Sequence, residues 1–452
     1  MKTEDIVDSI DIDKNPIEIK SLENIRSRLE SLKWLIEKKI FNEIIADITA
    51  LLVSLDTTTQ EGKDFNKAVE VIASLLTKPI EEGFVFFQCI QDTDNKPFII
   101  ISPDKSFAAS IFLNATPKNI HTVLFHAHID VVNTTHLAGQ NSVKLATNKF
   151  TCTEYMFGRG TNDMKAQVAL MIMLIHYFYY MQNSNFCCII SSDEEIFSPR
   201  QKEYIRRIKN TGISIDLEPN GHSTGFVDQV STEPSLTFVR NEFISWLPDI
   251  NSTEYRQVKD SFLKIIKIRA LSVLNKKYIN TKFKINIMYY GSVLEVNISP
   301  EPREELEEIA RLVKNDFKKY FDINCRTDNT QTSSQTVQLM TNHTYINLIN
   351  RVFKDLNIPK RYAEFPSKIA TTRESADGYA LTMFEAGFGT ALTCSFEKEI
   401  VNKSRAKSQL MFSSIIEEGE RHSQTEMASF NDLNSAFWVM AGICNQAIEL
   451  ES

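Results

Sequence analysis

Two nearly unbroken apolar runs constrain the fold more than any other feature: TVLFHAHIDVV at residues 122–132 and FCCIIS at 186–191. A strand of that kind is buried on both faces, which places it inside a sheet covered by helices on both sides. Between them lies VALMIMLIHYFYY, residues 168–180, apolar all round and interrupted only by His176. It falls short of the about 20 apolar residues that a bilayer span needs, so it reads as a buried helix. Upstream, apolar residues recur at 22, 25, 29, 32, 36, 40, 44, 48 and 51. This spacing predicts one or two amphipathic helices, serving either as a partner-docking arm or, more commonly, packed on their own domain. A helix over 64–76 and strands over 84–91 and 98–101 follow. Strands alternating with helices predict an α/β sandwich around a central, largely parallel sheet.

Near residue 235 the pattern changes. Residues 236–246 read as a strand, 254–274 as a helix, 282–290 and 293–298 as a hairpin around Gly291, 302–320 as a second helix and 323–326 as a strand. This β-α-β-β-α-β order is the ferredoxin-like split unit. The expected organisation is an N-terminal, partly helical extension over 1–35, a catalytic domain over 36–235 plus 338–452, and an inserted domain over 236–337. The polar tract DNTQTSSQT, 328–336, would be the return linker. Helices over 343–356 and 430–450 complete the first domain.

A length of 452 residues fits two or three domains. With 50 Lys+Arg against 58 Asp+Glu the net charge is −8, which argues against a nucleic-acid-binding surface. The 7 cysteines are irregularly spaced with no C-x-x-C pair, as expected of reduced, mostly buried thiols rather than a disulfide framework or a Cys-type zinc site. The acidic N-terminus MKTEDIVDSIDIDKN lacks the apolar core of a signal peptide. The expectation is a cytoplasmic protein with neither a nucleic-acid nor a membrane partner.

Acids and histidines cluster where strands end, the usual position of a site in open α/β sheets. In LFHAHIDVV, His128 and Asp130 lie two apart, on one face of the strand. Asp130 can hold one ring nitrogen of His128 while the other ligates a metal, or the pair can be a plain strand-end hydrogen bond. In GRGTNDMK, 158–165, Asp163 could cap the following helix, but a cap leaves Gly158 and Gly160 unexplained. In SSDEEIF, Asp193, Glu194 and Glu195 directly follow a buried strand. Such acids repel one another unless a cation neutralises them or one keeps a proton. Glu218 in IDLEPNG and His422 in EEGERHSQTE are, individually, ordinary surface residues. The remaining histidines, His121, His126, His136, His176, His222 and His343, read as structural or exposed.

Together and in this order, HxDVV, GRGxxDMK, DEE, EP and a late H-x-x-x-E resemble the aminoacylase family of dinuclear zinc exopeptidases and deacylases. That family includes acetylornithine deacetylase, succinyl-diaminopimelate desuccinylase and carboxypeptidase G. The resemblance spans about residues 43–450, with the inserted lid in the family's place. It implies a zinc-exopeptidase-like αβα catalytic domain and two Zn2+ ions, with Co2+ or Mn2+ as substitutes. Asp163 would bridge the ions, His128 and Glu218 would complete one, and Glu195 and His422 the other. Glu194 matches the general base, Asp130 the residue that orients His128, and Asp163-Met164 the family's cis peptide. The implied reaction is amide hydrolysis of an N-acyl-amino acid or of a C-terminal peptide bond. A dipeptidase or aminopeptidase of the same family, or an inactive relative that only binds, are the alternatives.

Glutamate at 218 resembles the deacylase and carboxypeptidase-like members, whose substrates carry a free carboxylate. RESADGY, 373–379, resembles their GTSDGR stretch and makes Arg373 and Asp377 substrate-binding candidates. The chain departs from the family in its lid, which contains no histidine to reach a partner's active site and has Asn297 where many relatives carry arginine. A homodimer through the lid and a monomer both stay open.

Overall fold

Both apolar runs become neighbouring strands of a seven-stranded sheet in the computed structural model. The structure describes residues 10–59, 62–91, 96–107, 123–131, 141–148, 152–194, 204, 213–217, 225–227, 229–232, 235–239, 253–279, 282–290, 293–301, 306–321, 324–325, 336–338, 343–356, 370–372, 391–395 and 426–447. They fall into two units: Met1–Asn133, Gln140–Val230 and Val337–Ser452 form one, and Thr134–Gly139 with Ser231–Thr336 the other.

The chain begins with strand β1 (Ile10–Ile12), helices α1 (Leu22–Glu30), α2 (Lys38–Val53), α3 (Phe65–Leu75) and α4 (Thr77–Glu81), and strands β2 (Phe86–Gln91) and β3 (Pro97–Ser102). Next come β4 (Val123–His128), β5 (Lys144–Asn148), β6 (Glu154–Phe157), α5 (Ala166–Met181), β7 (Phe186–Ser191), β8 (Ile213–Asp216), β9 (Gly225–Val227) and β10 (Gln229–Thr232). The inserted segment holds β11 (Ser235–Val239), α6 (Thr253–Lys277), β12 (Lys282–Tyr290), β13 (Val293–Glu301), α7 (Leu306–Phe321) and β14 (Asn324–Cys325). The chain ends with β15 (Thr336–Gln338), α8 (His343–Asp355), β16 (Ala370–Thr372), β17 (Ala391–Ser395), β18 (Met427–Ser429) and α9 (Phe430–Ala447).

The large sheet has the order β2-β3-β7-β4-β8-β17-β9. β4 runs parallel to β7 and β8, and β8 parallel to β17, whereas β2, β3 and β9 pair antiparallel with their neighbours. The largely parallel sheet expected from the sequence is therefore mixed. The link between β2 and β3 is too short for a crossover helix, so those strands form a hairpin. β4 and β7 are buried at every position. α5 is buried from Ala166 to Phe178, its Phe178 ring against Phe125 of β4 and Phe186 of β7. α2 and α9 flank α5, and Trp34, Phe41, Tyr177 and Phe437 form an aromatic cluster there.

The periodic stretch from Leu22 splits into α1 and α2, packed on their own unit. Leu32 takes a left-handed φ of 54° and Ile36 is 90% exposed, so the helical spacing runs across a real break. Trp34 closes the break by donating its indole N–H to the Leu29 carbonyl.

A second sheet, β1-β5-β6-β18, is antiparallel throughout. It was not foreseen, because KLATN, EYMF and MAS are too short to show an alternating pattern. It also makes part of the N-terminal extension a strand. In the inserted unit the order β12-β13-β11-β14, with antiparallel pairs and helices α6 and α7, is the ferredoxin-like arrangement. Ile266, Ala270, Leu274, Val296, Ile309, Val313 and Phe317 are buried in that unit. A third sheet has the order β15-β10-β16. Among the described residues no helix is long and apolar enough to cross a membrane.

The buried Cys187, Cys188 and Cys444 are free thiols, as are the exposed Cys89 and Cys152. Burial pushes the first three well above the ordinary thiol pKa, so they stay protonated and inert.

Candidate metal centre

The site grows from the C-terminal ends of β4 and β7 and from the GRGTND loop before α5. Parallel pairing sets His128 beside Ser191, and the Ile129 N–H donates to the Ser191 carbonyl at 3.0 Å. Asp130 and Glu194 consequently emerge side by side, and the Glu194 N–H donates to Asp130 Oδ1 at 3.3 Å. The outer flank is a strap over Thr57–Thr59. Thr57 Oγ1 donates to the Ile129 carbonyl at 2.6 Å, Val131 N–H donates to the Thr57 carbonyl, and Thr59 N–H to the Val131 carbonyl.

His128 is fully buried with its two ring nitrogens facing acids. Nδ1 lies 3.0 Å from the Asp130 carbonyl and 3.3 Å from Asp130 Oδ1; Nε2 lies 3.0 Å from Asp163 Oδ1 and 4.0 Å from Glu194 Oε2. Asp130, Asp163, Asp193 and Glu194 are each at most 2% exposed.

The GRG glycines answer to backbone geometry. Gly158 has φ +152° and a Cβ there would meet the Ser142 carbonyl at 2.5 Å; Gly160 has φ +74° and faces Val131 at 3.0 Å. Asp163 is not the helix cap. It sits in a wide turn, Thr161–Lys165, with φ −122° and ψ 87°, and α5 starts only at Ala166. The Asp163-Met164 peptide is cis. Lys165 turns away from the acids and donates to the Leu52 and Leu55 carbonyls at 3.0 Å each, at the C-terminal end of α2 where the helix dipole favours a cation. Burial, and secondly Arg159, lower its pKa to about 7.

The donor set fits a metal. A neutral imidazole has one N–H, and when Nδ1–H donates to Asp130 the Nε2 lone pair faces the Asp163 carboxylate. Acceptor then meets acceptor at 3.0 Å. A positive charge resolves this, supplied by a second ring proton or by a cation that takes both atoms as ligands. Several buried acids around one imidazole call for more positive charge than one ring proton brings. Among the described residues, no group of three or more His, Cys, Asp or Glu forms a metal cage by itself. Glu195, Glu218 and His422, the further ligands expected from the sequence, lie outside the described residues, as do Arg373 and Asp377.

Two contributors carried no role at the sequence level. The Thr57–Thr59 strap has no motif of its own. Glu426 closes the H-x-x-x-E segment, but the partners of its side chain lie 263 to 267 residues upstream, beyond the reach of local pattern. His126 is buried with Nε2 3.0 Å from Ser191 Oγ, and His176 contacts the Leu75 carbonyl at 2.8 Å. Both are structural positions, as anticipated.

The sequence pattern of Peptidase family M20/M25/M40 matches residues 124–400. That is more than half of the chain, and the protein belongs to this family of metal-dependent peptidases. No curated protein matches it. Similar solved structures include the di-peptidase Dug1p from Saccharomyces cerevisiae, at 12% identity and TM-score 0.48 over 95% of this chain and 99% of that one. They also include aminopeptidase PepT from Bacillus cereus, at 13% and 0.45 over 89% and 98%. A third is the M20 family metallo-carboxypeptidase Sso-CP2 from Sulfolobus solfataricus, at 13% and 0.44 over 88% and 98%. Likeness at this level says nothing about substrate.

Proposed function

We propose that this protein is a dinuclear zinc hydrolase that cleaves the amide bond of an N-acyl-amino acid or a C-terminal peptide bond. The observation that carries the reading is the buried His128, with one ring nitrogen against Asp130 and the other against Asp163, and with Glu194 beside them. His128, Asp163, Glu195, Glu218 and His422 would hold two Zn2+ ions, with Co2+ or Mn2+ as substitutes. Bound there, the ions would supply an acidified water and a polarised scissile carbonyl.

The protein's own groups do the rest. Asp130 fixes the imidazole through Nδ1, so that Nε2 keeps its lone pair for a ligand role. Because Asp130 also holds the Glu194 amide, the base and the histidine move together. Glu194 takes the proton of the attacking water and returns it to the leaving nitrogen. Its burial excludes bulk solvent from that transfer.

Glu218 supports a deacylase or carboxypeptidase-like specificity, in which Arg373 and Asp377 would receive the substrate carboxylate. The inserted unit would act as a lid, in a homodimer or a monomer, and the enzyme would work in the cytoplasm. The discriminating experiment is hydrolysis of a panel of N-acyl-amino acids, dipeptides with free amino termini, and longer peptides by the zinc-loaded enzyme. Turnover of the first group above the second is expected. Preference for free amino termini would move the assignment to a dipeptidase or aminopeptidase, and no turnover at all to a binding relative.

A further inference from the structure

We propose that Glu426 is a positioning residue that clamps the GRGTND loop shut and thereby sets Asp163 against His128; this rests on the reading of Asp163 as a metal ligand. Glu426 is 2% exposed, and five residues of the loop converge on it. The Gly158 N–H donates to its carbonyl at 2.9 Å. The Gly160 N–H donates to Oε2 at 2.7 Å, with the Asp163 N–H at 3.4 Å from the same atom. Thr161 Oγ1, which donates to the Gly158 carbonyl at 2.7 Å, also lies 3.2 Å from the Glu426 carbonyl, and Arg159 pairs with Oε1.

With Gly160 in a left-handed turn, two amides of the loop, its own and that of Asp163, face one oxygen and make an anion-binding nest that the chain fills with its own carboxylate. Antiparallel pairing of Met427 with Phe157 brings this residue under the loop. Nothing about a core-filling role requires a charged carboxylate there. Oriented amides and a buried guanidinium do. The loop's chemical product is the placement of the Asp163 carboxylate at 3.0 Å from His128 Nε2. Glu426 also closes the segment HSQTE that begins with His422. Through Asp163, the contacts of Glu426 would be coupled to metal binding.

The test is Glu426→Gln, which keeps one acceptor oxygen and loses the charge and the second acceptor. In chelator-treated protein, amide exchange at Gly160 and Asp163 is expected to accelerate at least about 10-fold, while the α5 amides from Leu170 onward stay at the wild-type rate. In zinc-loaded protein, zinc affinity is expected to fall at least about 10-fold and kcat to fall with KM within about twofold. Should Glu426→Gln not fold, Glu426→Asp, whose carboxylate is one methylene short of the nest, takes the same measurements with the same expectations. Wild-type exchange at Gly160 together with wild-type zinc affinity would overturn the proposal. If the wild-type protein binds no zinc, the ligand reading of Asp163 fails, and the exchange data on metal-free protein still decide whether Glu426 is the clamp.

Discussion

In the first unit the Arg159–Glu426 pair lies beneath the GRGTND loop with its side chains 8% and 1% exposed. In the second, Glu308 of α7 pairs with Lys277 and Arg311, whose side chains remain 49% and 63% exposed. Both are charge clusters in which one carboxylate gathers several donors. Hydrogen bonds from Arg311 and then Lys277 hold the Glu308 carboxyl down to about 2. Water and salt screen that cluster, so its strong proton shift does not translate into stability. The buried pair has no such screen, and its retention where apolar residues would pack at lower cost is explained by what it positions. Depth of burial next to a loop of constrained backbone, rather than the count of ion pairs, separates a site from a surface.

The largest expected effect comes from Arg159→Met, which leaves the Glu426 carboxylate buried without its guanidinium partner. Destabilisation of about 3 to 5 kcal/mol is expected by denaturant unfolding, as for other broken buried pairs; a loss below about 1 kcal/mol would put this pair in the class of the surface cluster. Glu194→Ala should retain its metals and lose at least about 100-fold in turnover, and wild-type turnover would remove Glu194 from its role as base.

His176 sharpens the contrast as a buried polar group away from the site. Burial, opposed by the Leu75 hydrogen bond, lowers its pKa from 6.5 to about 4. Below pH 6.5 the unfolded chain binds this proton before the folded one. Stability therefore falls as pH drops from 6.5 to 4, by about 3 kcal/mol in all. His176→Gln should flatten that part of a stability profile against pH, and an unchanged slope would show that the acid sensitivity lies elsewhere. The smallest effect is expected of Glu308→Gln, whose unfolding midpoint should match the wild type at physiological salt. A clear drop there would erase the distinction between the two clusters.

What could be read from the sequence follows from how local each signal is. The apolar runs at 122–132 and 186–191 announced buried parallel strands, since burial on both faces is written into the run itself. The β-α-β-β-α-β order of the insert was equally legible, because each of its helices and hairpin strands is long. His128, Asp130, Asp163 and Glu194 could be named because strand ends and paired glycines mark them, and the structure brings them together. The sheet containing β1 and β18 was not legible. Its strands are three to five residues long, and β1 and β18 each pair with a strand more than a hundred residues away in sequence. Glu426 took its meaning only from that pairing, as did the Thr57–Thr59 strap from Val131.

The proposed chemistry requires the acids around His128 to be neutralised by metal. The direct test is metal analysis of the purified protein after incubation with zinc and removal of the free ion. Two equivalents of zinc per chain are predicted, together with a fall in unfolding midpoint when a chelator strips them. Fewer than two equivalents, or a midpoint indifferent to the chelator, would contradict the dinuclear site.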